Sequence, residues 1–342
     1  MFLYRDFESW DPIWERNGGN EANHFCDNCG VYQNASRALV RSRHPTWNAS
    51  QVEAAAKEEW ETATREYFEQ TLLLSHKLRP FAKFGFYNWP AGSNKIASGS
   101  CGGTSHGCND VTATERGYDD RMHWLWAASG ALFPSNYICS VGGGPWGQGN
   151  GTAEAMRVAA NHSVPVFPFI WSKKCLPDPY YSNFVNASVM QMDIDIIQSF
   201  GTAGVMIYGE APHDASTKEQ CAATKSYIES TLGPQMLASQ QATESCRAAQ
   251  CSGNGNCARA IEFERMAPRN TRCVCDSGFV GEKCDQHQKD VNMPIKLDDG
   301  ANVSLTSRKT ILGGKTSSSR RQLLVSLCND SSQPVMGLPS CK

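Results

Sequence analysis

The chain has 342 residues, 40% hydrophobic and 19% charged, with a formal net charge of -2; that is room for one large domain and a small one, and too little positive charge for a general nucleic-acid binder, although a local basic groove for an acidic polymer stays open. Fifteen cysteines, mostly in short-range clusters, fit an oxidising compartment rather than the cytosol. No stretch reaches the roughly 18 apolar residues of a membrane span.

The chain opens on Met1-Phe-Leu-Tyr-Arg-Asp-Phe-Glu-Ser-Trp-Asp-Pro12, whose apolar run predicts a first strand near residues 1–7. Side chains two apart on a strand point the same way, so Asp6 and Glu8 would project together from its C-terminal end. Adjacent carboxylates can divide labour: one stays ionised and raises the pKa of the other, which remains a proton donor near neutral pH. Glycoside hydrolysis needs such a donor for its leaving oxygen. The alternative is a strand end with two solvated acids. The segment lacks the basic start and apolar stretch of an export signal, so a body of secreted character leads to the expectation of an incomplete N-terminus.

Residues 13–43, rich in Asn and Gly, read as loop. Within them Cys26-Asp-Asn-Cys29 is a redox pair, half a zinc site or a local disulfide; with no second CxxC at zinc-finger spacing, the disulfide is favoured. Helical spacing of Glu53, Ala56, Trp60, Ala63, Tyr67, Leu74 and Leu78 predicts a helix over Trp47–Leu78, capped by Asn48 or Ser50. Lys83 to Pro90 is an aromatic strand closed by proline. A Gly/Ser-rich loop over 91–117 holds Cys101 and Cys108, expected to pair.

A second helix is expected over Arg121–Leu132, a third strand over 134–139, and then a glycine-rich loop that lacks the strand and helix of a dinucleotide site. Thr152–Asn161 is a short helix. Val164–Trp171 is a buried strand ending at Lys173 and Lys174, a surface pair or a contact for acidic sugars. A helix over Ser188–Phe200, a buried strand over Gly204–Gly209 and a helix over Thr217–Leu232, stopped by Gly233-Pro234, complete the unit.

Five strands, near 1–7, 83–89, 134–139, 165–171 and 204–209, thus alternate with helices, which predicts an α/β architecture with a parallel sheet. It is an open sheet or part of a barrel, whose active residues would sit at the C-terminal strand ends. Asp6, Glu8, Tyr87, Tyr137, Trp171, Tyr208 and Glu210 all fall at such ends.

From Cys246 the composition changes. Cys246, Cys251, Cys257, Cys273, Cys275 and Cys284 have the spacing of an EGF-like module, with Gly253, Gly255, Gly278 and Gly281 at its turns. Spacing alone leaves every pairing open. The expected division is a barrel over 1–240, the module over 241–286 and a flexible Ser/Lys-rich tail over 287–342 with a Cys328–Cys341 loop. Asn34, Asn48, Asn150, Asn161, Asn186, Asn302 and Asn329 all stand in N-x-[ST] sequons, as expected of a secreted or lysosomal glycoprotein.

Together these pieces resemble the hyaluronidases of glycoside hydrolase family 56. Asp6-Phe-Glu-Ser-Trp-Asp-Pro12 is similar to the family's D-[FW]-E-x-W-x-P segment, and Gly85-Phe-Tyr-Asn-Trp-Pro90 to its G-[FY]-Y-x-x-P strand. His123 to Tyr137 is similar to its LW-x-x-S-x-A-L-[FY]-P-S-x-Y stretch. Ala203–Tyr208, Thr217–Cys221 and Thr231–Pro234 match later blocks. The resemblance covers residues 2 to about 285. It implies a distorted TIM-like barrel of seven strands with D-x-E on the third, so the first two strands are expected to be absent. It also implies EGF pairs Cys246–Cys257, Cys251–Cys273 and Cys275–Cys284. With Cys139–Cys175 and the local pairs this leaves over Cys221, which the family ties to a cysteine ahead of the D-x-E strand.

The resemblance implies retaining, substrate-assisted hydrolysis. Glu8 is the acid/base and Asp6 orients the substrate's acetamido group, with Tyr137 against the sugar. Tyr87, Phe169, Tyr208, Trp10 and Glu210 complete the expected substrate contacts. Three positions depart: Tyr208 stands where the family usually has tryptophan, Phe169 where it has tyrosine, and Asp11 where arginine is common. The first hypothesis is therefore a secreted endo-β-N-acetylhexosaminidase acting as a monomer on hyaluronan or chondroitin, with no cofactor, metal, nucleic acid or membrane span. The second is a weak or inactive glycosaminoglycan-binding or adhesion protein.

Overall fold

The computed structural model describes residues 2–5, 10–17, 30–90, 113–138, 149–174, 184–209, 217–262 and 267–288. Five parallel strand segments lie side by side in sequence order. β1 (Phe2–Arg5) pairs with β2 (Lys83–Phe86), Arg5 opposite Phe86. Tyr87 bridges to Phe133, Leu132 to Val166 and Ser135 to Phe169, all parallel. β3 (Phe169–Trp171) pairs with β4 (Met206–Tyr208), Trp171 opposite Tyr208. The expected strands are thus present, but the third pairs through 132–135 rather than 134–139.

Prolines explain why the middle of the row is made of bridges. Pro134, Pro165 and Pro168 have no N–H to donate. Their carbonyls still accept, from Phe169 (2.8 Å), Leu132 (3.0 Å) and Met206 (2.8 Å) respectively. No ladder joins β4 to β1 among the described residues, which form an open row rather than a closed barrel. β4, expected to be buried, is half-buried throughout, as the end of that row.

Strand alternation sorts the side chains to two faces. Leu132 and Val166, and separately Ile138 and Ile170, join core clusters shared with the helices. On the other face, Tyr87, Ala131, Phe133, Phe167 and Phe169, with Tyr137, Met206 and Tyr208 partly buried, form a cluster without a helical residue. The strands approach closely beneath it: a Cβ on Gly85 would stand 2.2 Å from the Ala131 carbonyl oxygen, so only glycine fits.

Helices separate the strands. α1 (Val31–Arg43) and α2 (Ala49–Leu78) follow β1. α3 (Ala113–Arg121) and α4 (His123–Ala128) follow β2. α5 (Gly149–Ala160) precedes β3, and α6 (Ala187–Ser199) precedes β4. Asn48, not Ser50, caps α2 in a capping box with Gln51, an arrangement worth about 1 kcal/mol. The buried face of α2 runs through Val52, Ala56, Thr64, Phe68 and Leu72. Leu74 and Leu78, expected inside, are exposed.

Three other expectations are corrected. Residues 13–43 are not all loop: a 3-10 turn (Trp14–Asn17) and α1 lie within them. Gln33 donates to the Trp14 carbonyl at 2.8 Å and fixes α1 there. The helix expected over Arg121–Leu132 is the shorter α4, ending at Ala128, and is preceded by α3, which starts inside the Gly/Ser-rich loop expected over 91–117. Gly233-Pro234 does not stop the last helix: α7 (Lys218–Tyr227) passes through a π turn (Ile228–Leu232) into α8 (Gly233–Gln250). The wider turn accommodates the proline's missing donor, with the Gly233 N–H bonding back to the Ile228 carbonyl.

α8 carries the chain across the expected boundary at 240 and supplies Cys246 to the module. There β5 (Gly255–Glu262) pairs antiparallel with β6 (Ala267–Cys275), and β7 (Phe279–Val280) with β8 (Gln286–His287). The disulfides are Cys246–Cys257, Cys251–Cys273 and Cys275–Cys284, the pairing implied by the EGF-like resemblance. The module is docked, not tethered: Asn256 donates to the carbonyls of Gly201 (3.3 Å) and Thr202 (3.0 Å), just past α6. Gly201 has φ +75°, and a Cβ there would press on Ala258 and Val274.

Candidate active site

The C-terminal ends of the strands carry a row of aromatic side chains. Tyr87 follows β2, Tyr137 follows the third segment, Trp171 ends β3 and Tyr208 ends β4. Tyr87 and Tyr137 stack with ring centres 6.1 Å apart. Tyr137 reaches Tyr208 at 5.4 Å and Trp171 at 6.0 Å, and Trp171 meets Tyr208 edge-on at 5.4 Å. Phe169 lies below them, 1% exposed, with its ring edge-on to Tyr87 at 5.1 Å. The Tyr87 hydroxyl donates to Ser135 Oγ at 3.3 Å. Tyr87, Phe169 and Trp171 are buried, and Tyr137 and Tyr208 are partly exposed; aromatic faces beside hydroxyls, as those two tyrosines offer, suit sugar rings, which are apolar on their faces and polar at their rims.

The third segment is held from behind. Its odd positions Phe133, Ser135 and Tyr137 turn to the aromatic face, and Asn136 turns to the helices. Asn136 is wholly buried: its Nδ2 donates to Asp193 Oδ1 on α6 at 2.7 Å, and its Oδ1 accepts from the Thr152 hydroxyl on α5 at 3.1 Å. Burial pushes the Asp193 carboxyl up to about 8, against the opposing pull of the Asn136 amide. Sequence reasoning missed Ser135, Asn136 and Asp193 as supports, because their roles depend on which helix lies behind the strand.

The segment after the expected acid pair is fixed by a buried cation. Arg16 pairs with Glu115 (2.6 Å), Asp119 (3.1 Å) and Asp11 (3.6 Å). Burial pushes Asp119 up to about 7, and the Arg16 charge opposes it. Asp11 is buried and accepts from the Ile13 N–H at 2.8 Å. The arginine common at that position elsewhere would put a second cation beside Arg16. Trp10 packs against Trp60 (5.5 Å), Tyr67 (5.9 Å) and Phe68 (5.5 Å) of α2 rather than with the aromatic row. Lys173 is buried with its ammonium 5.2 Å from the Phe184 ring centre, so it is no solvated surface charge.

Asp6, Glu8, Glu210, Cys139 and Cys175 lie outside the described residues, as do Cys26, Cys29, Cys101, Cys108, Asn302, Asn329 and the tail after residue 288. So does the side chain of Asn150. Asn34, Asn48, Asn161 and Asn186 are exposed. Among the described residues no cluster of His, Cys, Asp and Glu could hold a metal ion, and no helix is long and apolar enough to cross a membrane.

The sequence model of the family described as Hyaluronidase matches residues 4–287. Hyaluronidase-1 of Bos taurus is 34% identical over 264 residues, covering 76% of this chain and 55% of the relative. A chondroitin hydrolase of Caenorhabditis elegans is 29% identical over 301 residues, covering 84% of this chain and 61% of the relative. The crystal structure of bee venom hyaluronidase in complex with a hyaluronic acid tetramer superposes with a TM-score of 0.57 at 27% identity, over 67% of each chain. The chain therefore spans little more than half the length of these two sequence relatives.

Proposed function

The chain belongs to the hyaluronidase family, and from that membership we propose that it is an endo-β-N-acetylhexosaminidase that hydrolyses hyaluronan or chondroitin with retention of configuration. One observation supports this reading. Arg5, the last residue of β1, is in register with Phe86, one residue before Tyr87. β1 thus ends at the end of the sheet that bears Tyr87, Tyr137, Trp171 and Tyr208, and Asp6 and Glu8 come next in the sequence.

In this reading the Glu8 carboxylic acid gives its proton to the glycosidic oxygen as that bond breaks. The carbonyl oxygen of the substrate's own acetamido group bonds to the anomeric carbon from the opposite face, forming a cyclic oxazolinium. Asp6 orients the acetamido N–H and stabilises the positive charge that develops. The Glu8 carboxylate then takes a proton from water, whose oxygen attacks the anomeric carbon, reopens the ring and restores the starting configuration. Tyr137 and Tyr208 supply the apolar faces against the sugar. Phe169 lacks the hydroxyl expected to steady the acetamido group. A hydrogen bond of that kind is worth roughly 1.5–3 kcal/mol, about ten- to a hundredfold in rate, so turnover should be modest.

The protein needs no cofactor in this scheme and acts as a monomer, secreted or lysosomal. Three disulfides support that compartment, as do the exposed sequons. At Asn48 and Asn186 the side-chain oxygen caps a helix, which leaves the amide nitrogen, the atom a glycan uses, on the other side. The mechanism is tested by the first product formed. Proton NMR should show the reducing end released in the anomeric form it had in the polymer, and N-deacetylated polymer should not be cleaved. An inverted product, or equal cleavage of the deacetylated polymer, would contradict participation of the acetamido group.

A further inference from the structure

The third strand segment turns Phe133, Ser135 and Tyr137 to the aromatic face, and among the described residues its last positions, after Pro134, make few main-chain bonds. Pro134 donates nothing to a neighbour. Its carbonyl accepts the Phe169 N–H at 2.8 Å, and beyond it, among the described residues, one main-chain bond ties the segment to the fourth strand, from the Asn136 N–H to the Phe169 carbonyl at 2.8 Å. The Asn136 side chain adds a second tie, to the helices behind the strand. It is clamped between Thr152 of α5 (3.1 Å) and Asp193 of α6 (2.7 Å), with all three residues 0–1% exposed. On either side of Asn136, Ser135 accepts the Tyr87 hydroxyl and Tyr137 faces Tyr87, Trp171 and Tyr208. A shift at Asn136 must move both.

We propose that Asp193 is a positioning residue for this site: by accepting the Asn136 amide it fixes the strand end bearing Ser135 and Tyr137, and so sets where Tyr137 stands against the sugar. The inference rests on the glycosaminoglycan-hydrolase reading above. Asp193 does not touch substrate; it lies on the helix side of the strand. It acts as a hydrogen-bond acceptor. Its second oxygen is buried without a hydrogen-bond partner among the described residues, which accords with a carboxyl held uncharged. A carboxamide can accept the same bond, whereas alanine would leave the buried Asn136 amide without its acceptor.

The test is a double-mutant cycle in kcat/KM with Asp193→Ala, Tyr137→Ala and the pair, plus Asp193→Asn alone. Each rate is normalised to the folded fraction from near-ultraviolet circular dichroism. Asp193→Ala should lower kcat/KM by about tenfold or more in the native background and by less than about twofold in the Tyr137→Ala background. Asp193→Asn should recover most of the loss. The proposal is overturned if Asp193→Ala costs the same factor in both backgrounds, if it costs nothing, or if Asp193→Asn is equally damaging. A folded native chain that releases no reducing ends would defeat the hydrolase reading instead. The cycle is then read by titration with hyaluronan and chondroitin tetrasaccharides: Asp193→Ala should weaken binding about tenfold through Tyr137, and unchanged affinity, or no binding by the native chain, overturns the proposal.

Discussion

The ring centres of Tyr137 and Tyr208 stand 5.4 Å apart, inclined at 40°, across the ends of the third and fifth strands. They come from positions 71 residues apart in sequence (208 − 137), and only the parallel row of strands brings them together. Tyr208 is half-buried, with part of its surface left to solvent. Tyr208→Ala should remove about 1–2 kcal/mol of apolar contact with the sugar and lower kcat/KM about five- to thirtyfold. Tyr208→Phe should cost much less. Equal losses in the two variants would mean that the hydroxyl, not the ring, makes the contact.

Arg16 should be a stability residue. Its guanidinium is buried among Asp11, Glu115 and Asp119. Replacing it with leucine leaves buried carboxylates without their counter-charge, at about 3–5 kcal/mol. The midpoint of urea unfolding should fall accordingly, and a variant as stable as the native chain would contradict this.

Asp193 predicts a pH dependence of stability. Its folded pKa, about 8, is raised by burial above the ordinary aspartate value of 3.8. The folded state therefore binds more protons than the unfolded state between those values, and stability falls as pH rises through that window. Above pH 8 the contribution levels off. Asp193→Asn, which cannot ionise, should flatten the slope by at least about 1 kcal/mol between pH 5 and 8. Equal slopes for the two proteins in urea titrations would refute it.

Gly201 should hold the small module in place. Its φ of +75° and the contacts a Cβ would make with Ala258 and Val274 both oppose a side chain. Gly201→Ala should cost about 1–3 kcal/mol and speed proteolysis between α8 and the module. Unchanged cleavage would show that the module is held elsewhere.

The strand row and its aromatic ends were legible in the sequence because short apolar runs bounded by helices, and tyrosines at their ends, are local signals. The three module disulfides followed from the resemblance rather than from spacing. What escaped was set by tertiary contacts. α1 was hidden by Asn34 and Ser36, weak helix formers, and by the Asn/Gly-rich stretch before it; its packing on α2 outweighs those preferences. Pro234 looked like a helix stop because a π turn leaves no pattern in composition. The α2 stripe was placed too far toward Leu74 and Leu78, since Phe68 and Leu72 serve the core equally well by spacing. Asn136 and Asp193 gave no signal, as a polar residue on a strand's rear face reads as solvated until the helix behind it is known.

New reducing ends from hyaluronan and from chondroitin, measured with the native chain and Glu8→Gln, both shown to be folded, decide whether Glu8 drives hydrolysis. The native chain should cleave at least one polymer, and Glu8→Gln should lose about a hundredfold or more in kcat. Equal cleavage by the two proteins would contradict the role given to Glu8, and none by the folded native chain would contradict the hydrolase itself.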